Sequence, residues 1–228
     1  MSIRIAIDGP AGAGKSTIAK EAARRLSVIY VDTGAMYRAL GLYFMRKGLD
    51  LHDEAAVSAA VPETSVTIGF EAGEQQVLLN GENVNGLIRT LEVGEAASVT
   101  SSYGAVRAHL LELQRDLARR HSVIMDGRDI GTTVLPDAEL KIFLTADVRI
   151  RAKRRFDELA AKGVSTTLEQ VEEEVRQRDE RDMNRAVSPL RQAEDAAVVD
   201  TSVLSIGEAT AVICALANER AKERGLTV

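Results

Sequence analysis

The sequence of 228 residues contains little cysteine and no long apolar run, and each shortage excludes a class of protein. Its single cysteine, Cys214, cannot form an internal disulfide, so we expect a protein of a reducing compartment. No apolar run approaches the ~20 residues that a membrane-spanning helix needs. Residues 1–8 begin a strand-like pattern directly, without the architecture of a signal peptide. We therefore expect a cytoplasmic protein that does not associate with a membrane.

Basic residues are also few relative to acidic ones, with 29 Lys and Arg against 34 Asp and Glu. The net charge of −5 disfavours binding to a nucleic-acid polymer, because such binding needs a basic surface that displaces counterions. A local basic pocket for a small phosphate ligand remains compatible with this charge. The composition, 45% hydrophobic and 28% charged, is that of an ordinary globular protein. We expect one domain and a monomer.

Short apolar runs alternate along the chain with segments of helical periodicity. Short β-branched runs without clear alternation are typical of strands buried on both faces of a parallel sheet. The predicted strands cover residues 3–7, 28–31, 123–125, 140–144 and 197–199. The predicted helices cover residues 16–26, 106–120, 148–162, 168–185 and 206–224. This order predicts an α/β fold with a five-stranded parallel sheet and helices on both of its faces.

One interval is too long for a simple crossover between parallel strands. About ninety residues separate Asp32 from Val123, where a dozen or so would suffice. Within this interval residues 66–70 alternate between apolar and polar, and Asn80-Gly81 is a strong hairpin-turn dipeptide. We therefore predict a small antiparallel sheet, about residues 65–84, inserted into the core. The predicted division is a core of about 1–36, 105–148 and 186–228, an insert of about 37–104 and a helical lid of about 149–185.

Residues 9–16 match the phosphate-loop pattern G-x-x-x-x-G-K-[ST] between a predicted strand and a predicted helix. Glycines let backbone N–H groups surround a phosphate, and the helix N-terminus adds a favourable potential. Lys15 would bridge the β- and γ-phosphates, and the Ser16 hydroxyl would bind Mg²⁺. The alternative is a tight turn that only uses glycine, but the match in this context favours binding of a nucleoside triphosphate. The predicted ATP-binding residues here are Gly9, Pro10, Ala11, Gly12, Ala13, Gly14, Lys15, Ser16 and Thr17.

The loop alone does not distinguish kinases, switch GTPases and motor ATPases. The Asn-Lys-x-Asp motif that reads guanine is absent, and the candidate Walker-B run ending at Asp126 has one acidic residue. A small-molecule kinase instead needs arginines that converge on an acceptor phosphate. Arg38 follows the second strand, and Arg128 and Asp129 follow the third, at the edge where α/β sheets open their binding crevice. This pattern favours a kinase over a set of solvated loop charges.

Two later helices carry further arginines. Arg151 and Arg155 share one helix face, and we expect them to reach ATP from a lid, although a solvated face is the alternative. Thr166 and Glu169 form a predicted capping box for the next helix.

That next helix should place Arg178, Arg181, Asp182 and Arg185 on one side. A surface ion pair between Arg178 and Asp182 is the simple alternative. Three arginines compensated by one aspartate, however, favour binding to a polyanion.

Together, these segments resemble the bacterial cytidylate kinases of the nucleoside monophosphate kinase family, over essentially the whole chain. The resemblance lies in residues 9–17, 32–38, 126–132 and 178–185, with Arg89 and Ser98. It implies a P-loop NTPase fold and transfer of a phosphoryl group from ATP to CMP or dCMP with Mg²⁺. It also implies that the inserted sheet belongs to the nucleotide-acceptor subdomain.

The resemblance further implies roles for individual residues. It assigns the α-phosphate of CMP to Arg38, Arg128 and Arg185, the cytosine to Ser98, Arg107 and Asp129, and the ribose to Arg178 and Asp182. Thr33 and Tyr37 complete the implied CMP-binding set, and Lys15, Arg128 and Arg185 are the implied catalytic residues.

Two other functions remain open from the residues alone. One is a P-loop kinase for UMP or a shikimate-like acceptor, since the choice of base depends mainly on the resemblance. The other is a nucleotide-dependent switch protein without phosphotransfer, which the missing guanine motif and the two sets of arginines disfavour.

Overall fold

The computed structural model describes residues 3–226 as strands β1–β8, helices α1–α8, a 3₁₀ turn at Val61–Glu63 and one π-helical turn. The strands are β1 (Arg4–Asp8), β2 (Ile29–Asp32), β3 (Val66–Glu71), β4 (Glu74–Leu79), β5 (Glu82–Asn83), β6 (Val123–Gly127), β7 (Leu140–Thr145) and β8 (Ala197–Asp200). The helices are α1 (Lys15–Leu26), α2 (Thr33–Arg46), α3 (Glu54–Ala60), α4 (Leu91–Thr100), α5 (Gly104–Arg120), α6 (Val148–Ala161), α7 (Leu168–Asn184) and α8 (Ile206–Glu223). The π-helical turn covers Ile130–Val134.

Five of the strands form the predicted parallel sheet, in the order β2-β6-β1-β7-β8. Central strand β1 is buried on both faces, with Ala6 in one hydrophobic cluster and Ile5 and Ile7 in the other. This division follows from the period of two along a strand, which sends neighbouring side chains to opposite faces. The α/β prediction is therefore confirmed, with a hydrophobic core on each side of the sheet.

The predicted small antiparallel sheet is also present, in the order β3-β4-β5. Asn80 and Gly81 join β4 to β5 with φ angles of 50° and 84°, as the hairpin dipeptide predicted. The side chain of Gln75 in β4 bonds this sheet to the edge strand β2. Asp32 N donates to Gln75 Oε1 over 2.8 Å, and Gln75 Nε2 donates to the Asp32 carbonyl over 3.1 Å.

Helices α6 and α7 pack against each other around a separate small cluster of Ala152, Leu159, Val171 and Val175. They form the helical pair that the sequence predicted as a lid. No helix among residues 3–226 is both long and apolar enough to cross a membrane.

The predicted capping box of α7 is wrong by one residue. Thr167, not Thr166, is extended and accepts from Gln170 N over 3.2 Å, while Gln170 Oε1 accepts from Thr167 N over 3.0 Å. Both registers satisfy the S/T-x-x-E/Q pattern, so the pattern alone could not choose between them. The helix ends at Asn184, and Arg185 continues in an extended conformation.

Candidate active site

A large cleft of about 1450 Å³ opens at the carboxyl ends of β1, β2 and β6. Its walls come from the phosphate loop, from α2 and α4 of the insert side, and from α7 of the lid. The predicted residues that line it are Ala11, Gly12, Gly14, Lys15, Ser16, Thr17, Thr33, Tyr37, Arg38, Ser98, Arg107, Arg128, Asp129, Arg155, Arg178 and Arg185. One cleft thus brings together segments from six separate parts of the sequence.

The backbone of the phosphate loop requires glycine at its first position. Gly9 has φ of 150°, and a Cβ atom there would lie 1.9 Å from the Leu144 carbonyl oxygen of β7. Lys15 is buried at the far end of the loop, where its Nζ donates to the Gly9 carbonyl over 2.8 Å and to the Pro10 carbonyl over 2.7 Å. Burial, together with nearby Arg128, lowers the pKa of Lys15 well below its usual value. The loop therefore holds its cation close to the backbone that would surround a phosphate.

Asp126, at the end of β6, lies directly beside the loop. Ser16 Oγ donates to Asp126 Oδ2 over 2.9 Å, and the Tyr30 hydroxyl donates to Oδ1 over 3.0 Å. Burial and the neighbouring Asp32 carboxylate raise the pKa of Asp126 to about 6. A hydroxyl and a carboxylate in contact beside a phosphate loop are the oxygen donors that suit Mg²⁺, which takes its other ligands from substrate phosphates and water. Ser16 and Asp126 thus fit a magnesium site, although only Ser16 was predicted for it.

Asp129 lines the same cleft and lies between two arginines. Its Oδ2 pairs with Arg107, and its Oδ1 lies 3.3 Å from Arg185 Nη2. The guanidinium carbon of Arg107 also lies 5.4 Å from the centre of the Tyr37 ring, within range of a cation–π contact. Burial opposes the charge on Arg107, but Tyr37 and Asp129 hold its pKa above the usual value. The cluster is thus a buried arrangement of fixed donors and acceptors.

The predicted arginines of α7 have different environments. Asp182 bonds Arg128 Nε over 2.8 Å instead of Arg178, so the simple surface pair considered from sequence is not formed. Arg178 Nε is buried without a hydrogen-bond partner among the described residues. Burial and the repulsion of Arg128 lower the pKa of Arg178 to about 10. Arg181 pairs outward with Glu95 of α4 and links the lid to the insert.

Further polar atoms of the cleft wall also have no hydrogen-bond partner among residues 3–226. They are Nη1 of Arg38, Oγ of Ser98 and Nε of Arg107. Buried polar atoms are usually bonded, so such atoms at a cleft favour a polar ligand. Thr33, by contrast, uses its hydroxyl to donate to the Asp126 carbonyl over 2.8 Å. Arg89, which pairs with Asp32 over 2.7 Å, belongs to the same wall and was not among the predicted site residues.

The two predicted lid arginines, Arg151 and Arg155, lie in different places. Arg155 lines the cleft, but Arg151 turns away from it, donating to the Ala11 carbonyl over 3.0 Å and pairing with Asp179 over 2.7 Å. The reason is the close approach of α6 to the loop, where a Cβ atom on Gly12 would lie 3.2 Å from Arg151 Cβ. Arg154, a neighbour of Arg155 on α6, also lines the cleft.

The end of the cleft beyond Arg154 was not predicted from the sequence. It is lined by Thr201, Leu204 and Ile206, from the loop between β8 and α8 and the first turn of α8. Thr201 Oγ1 is in hydrogen-bond range of the Ala13 carbonyl at 3.1 Å, which fixes this loop beside the phosphate loop. No sequence motif indicates these lining residues, because only the fold brings them to this edge of the sheet.

Comparison with known proteins identifies the family. The description "Cytidylate kinase" belongs to the family whose sequence profile matches residues 5–219. A cytidylate kinase from Bacillus licheniformis is 47% identical over 220 residues, covering 96% of this chain and 97% of that protein. One from Caldicellulosiruptor saccharolyticus is 52% identical over 206 residues, covering 90% and 91%.

A solved structure supports the fold independently of these sequences. It is a gluconokinase from Sinorhizobium meliloti 1021, which superposes with a TM-score of 0.51 at 12% identity, over 97% of this chain and 95% of that one. By its sequence across nearly its full length, the chain belongs to the cytidylate kinase family.

Proposed function

We propose that this protein transfers the γ-phosphoryl group of ATP to CMP or dCMP, producing ADP and CDP or dCDP. The observation that supports this most directly is the presence of two separate cationic groups on one cleft. Lys15 lies in the phosphate loop, and Arg38, Arg128 and Arg185 line the same cleft, with Arg185 paired to Asp129. A triphosphate donor and a monophosphate acceptor would each need one of these groups.

ATP would bind with its phosphates on the loop formed by residues 9–17. The backbone N–H groups and the N-terminus of α1 favour negative charge there, and Lys15 would contact the β- and γ-phosphates. Arg154 and Arg155 face the cleft from α6 and would neutralise part of the phosphate charge. Ser16 and Asp126 would hold Mg²⁺ together with the phosphates, and bound Mg²⁺ would neutralise charge on the transferring group.

CMP would bind to the wall of the cleft that carries Arg38, Arg128, Arg185 and Asp129. We propose that Arg38, Arg128 and Arg185 hold its α-phosphate, that Arg178 and Asp182 hold its ribose, and that Thr33 and Tyr37 complete this wall. Ser98, Arg107 and Asp129 would bind the cytosine, with Asp129 accepting from the N4 amino group and Arg107 donating to its acceptor atoms. Uracil presents a carbonyl oxygen in place of that amino group, so Asp129 would face an acceptor.

Phosphoryl transfer in this cleft would depend on positioning and on charge. An α-phosphate oxygen of CMP forms a bond to the γ-phosphorus, while the bond from that phosphorus to the β–γ bridging oxygen breaks and ADP leaves. The nucleophile is already anionic, so no general base is needed. The arginines bring two like-charged groups into line, and closure of α6 and α7 would exclude the water that otherwise hydrolyses ATP.

The test is ADP release with ATP and Mg²⁺ and a panel of acceptors: CMP, dCMP, UMP, AMP, GMP and shikimate. We expect CMP and dCMP to give the highest kcat/KM. Preference for UMP or shikimate would show that the acceptor site is misassigned. Slow ATP hydrolysis that no acceptor accelerates would show a nucleotide switch instead of a kinase.

A further inference from the structure

Asp8 is a buried carboxylate of β1 that none of the steps above uses. It directly precedes Gly9, the first residue of the phosphate loop, and its side chain lies inside the protein. Its Oδ1 accepts from Ile130 N over 2.8 Å, and its Oδ2 accepts from Gly131 N over 2.7 Å. A single side chain therefore links the strand that leads into the donor loop with the two residues that follow Asp129.

The two bonds have a direct consequence for Asp129. Asp129 begins the turn over Ile130–Val134, and an aspartate at such a position usually accepts from the next amides of its own turn. Here Asp8 accepts from two of those amides, and Asp129 makes no side-chain cap. The Asp129 carboxylate is thus left to pair with Arg107 and Arg185 in the cleft.

The surroundings of the contact leave little room for another arrangement. A Cβ atom on Gly131 would lie 3.2 Å from Lys141 Cδ and 3.4 Å from Asp8 Oδ2. A side chain at residue 131 would therefore press on Lys141 and contact Asp8, and glycine avoids both contacts. Both oxygens of Asp8 are bonded to backbone amides of the turn.

We propose that Asp8 is a positioning residue for the acceptor base: it fixes the Asp129 turn so that the Asp129 carboxylate faces the cytosine. This inference depends on the proposed function, since it assigns Asp129 to CMP. Asp8 acts on specificity through Asp129 and touches no substrate. Asp8 also directly precedes the phosphate loop. It therefore couples the orientation of Asp129 to β1, the strand that leads into the ATP site.

The test is the substitution Asp8→Asn, measured as the ratio of kcat/KM for CMP to that for UMP. Asparagine keeps the size of the side chain but presents an NH₂ group to one of the two amides, so one hydrogen bond is lost. We expect the CMP-to-UMP ratio to fall about tenfold. In an Asp129→Ala background, Asp8→Asn should change that ratio less than about twofold, because the group through which it acts is gone.

The matched control is Glu139→Gln. Glu139 accepts from the backbone N of Arg4 over 2.8 Å, at the end of β1 that lies away from the cleft. Its substitution should lower thermal stability without changing the CMP-to-UMP ratio. If Asp8→Asn does not fold, Asp8→Glu keeps both oxygens but displaces the turn, and should lower the ratio in the same direction.

Two results would overturn the inference: an unchanged ratio in Asp8→Asn, or an equal fall with and without Asp129. Assays of the unmodified protein distinguish a failure of the positioning role of Asp8 from a failure of the proposed function. If it does not release ADP in response to CMP, the proposed function fails. If it does, and the Asp8 variants keep the ratio, only the positioning role fails.

Discussion

Arg128 at the turn after β6 and Asp182 on α7 form an ion pair, in which Arg128 Nε donates to Asp182 Oδ2 over 2.8 Å. The pair joins the parallel sheet to the lid at the place where the acceptor phosphate would bind. Burial opposes the charge on Asp182, but Arg128 and Arg178 hold the pKa of its carboxyl below the usual value. Asp182 is therefore ionised at neutral pH and keeps Arg128 directed towards the cleft.

The substitution Asp182→Asn should therefore affect both stability and acceptor binding. It leaves a largely buried guanidinium without its counter-charge, so we expect a loss of about 1–3 kcal/mol in the free energy of unfolding. KM for CMP should rise about tenfold, because Arg128 loses the contact that orients it. Urea unfolding and steady-state kinetics measure these effects. Asp157→Asn, which breaks an exposed pair with Lys153, is the control and should stay within about 0.5 kcal/mol.

The substitution Lys15→Ala should abolish measurable turnover. Lys15 is the only lysine among residues 9–17 of the phosphate loop, and it is buried at the cleft. Removing a charge aimed at the transferring group costs at least about 10²–10³ in kcat. Single-turnover ADP release measures this loss. Lys20→Ala removes an exposed lysine of the same helix, paired with Glu74, and should leave kcat unchanged. A near-normal kcat for Lys15→Ala would contradict the mechanism.

The substitution Asp129→Ala should lower kcat/KM for CMP far more than for UMP. The carboxylate is proposed to accept a hydrogen bond that only cytosine offers, so its loss removes discrimination, on the order of 10²-fold or more. Competition assays with both acceptors in one reaction measure the ratio directly. Equal losses for CMP and UMP would show that Asp129 does not read the base but only supports Arg107.

The parts of the fold with strong local signals were predictable from the sequence. The phosphate loop follows a fixed pattern, and the buried strands are short apolar runs, so neither needs knowledge of distant contacts. The turn at Asn80-Gly81 was predictable because both residues tolerate positive φ. Helices α2, α3 and α4 were not predicted, since the insert was recognised only by its length and by its alternating strands.

The site was less predictable where it depends on contacts between distant segments. Ser98 and Arg107 came only from resemblance, because neither lies in a pattern that indicates a ligand. Arg151 and Arg155 share a helix face, and only the packing of α6 against Gly12 decides which of them reaches the cleft. The hydrogen bonds that Asp8 accepts from Ile130 and Gly131 span more than 120 positions of the chain. No periodic pattern in the sequence indicates such distant contacts.

Asp8 should also give the protein a specific dependence of stability on pH. Burial, opposed by the amides of Gly131 and Ile130, raises the pKa of Asp8 from 3.8 to about 6. Between these values the folded protein holds a proton that the unfolded chain has released. By linkage, the stabilising contribution of Asp8 is full below about pH 4 and is lost as pH rises through about 6.

The measurement compares urea unfolding of the unmodified protein and Asp8→Asn from pH 4.5 to 7.5. All other titrating groups are common to both proteins, so the difference in the free energy of unfolding isolates Asp8. We expect this difference, unmodified minus variant, to fall by on the order of 2 kcal/mol as pH rises to about 6.5, and to be constant above it. A difference that instead grows with pH would mean that the two backbone amides outweigh burial and hold the pKa of Asp8 below its usual value.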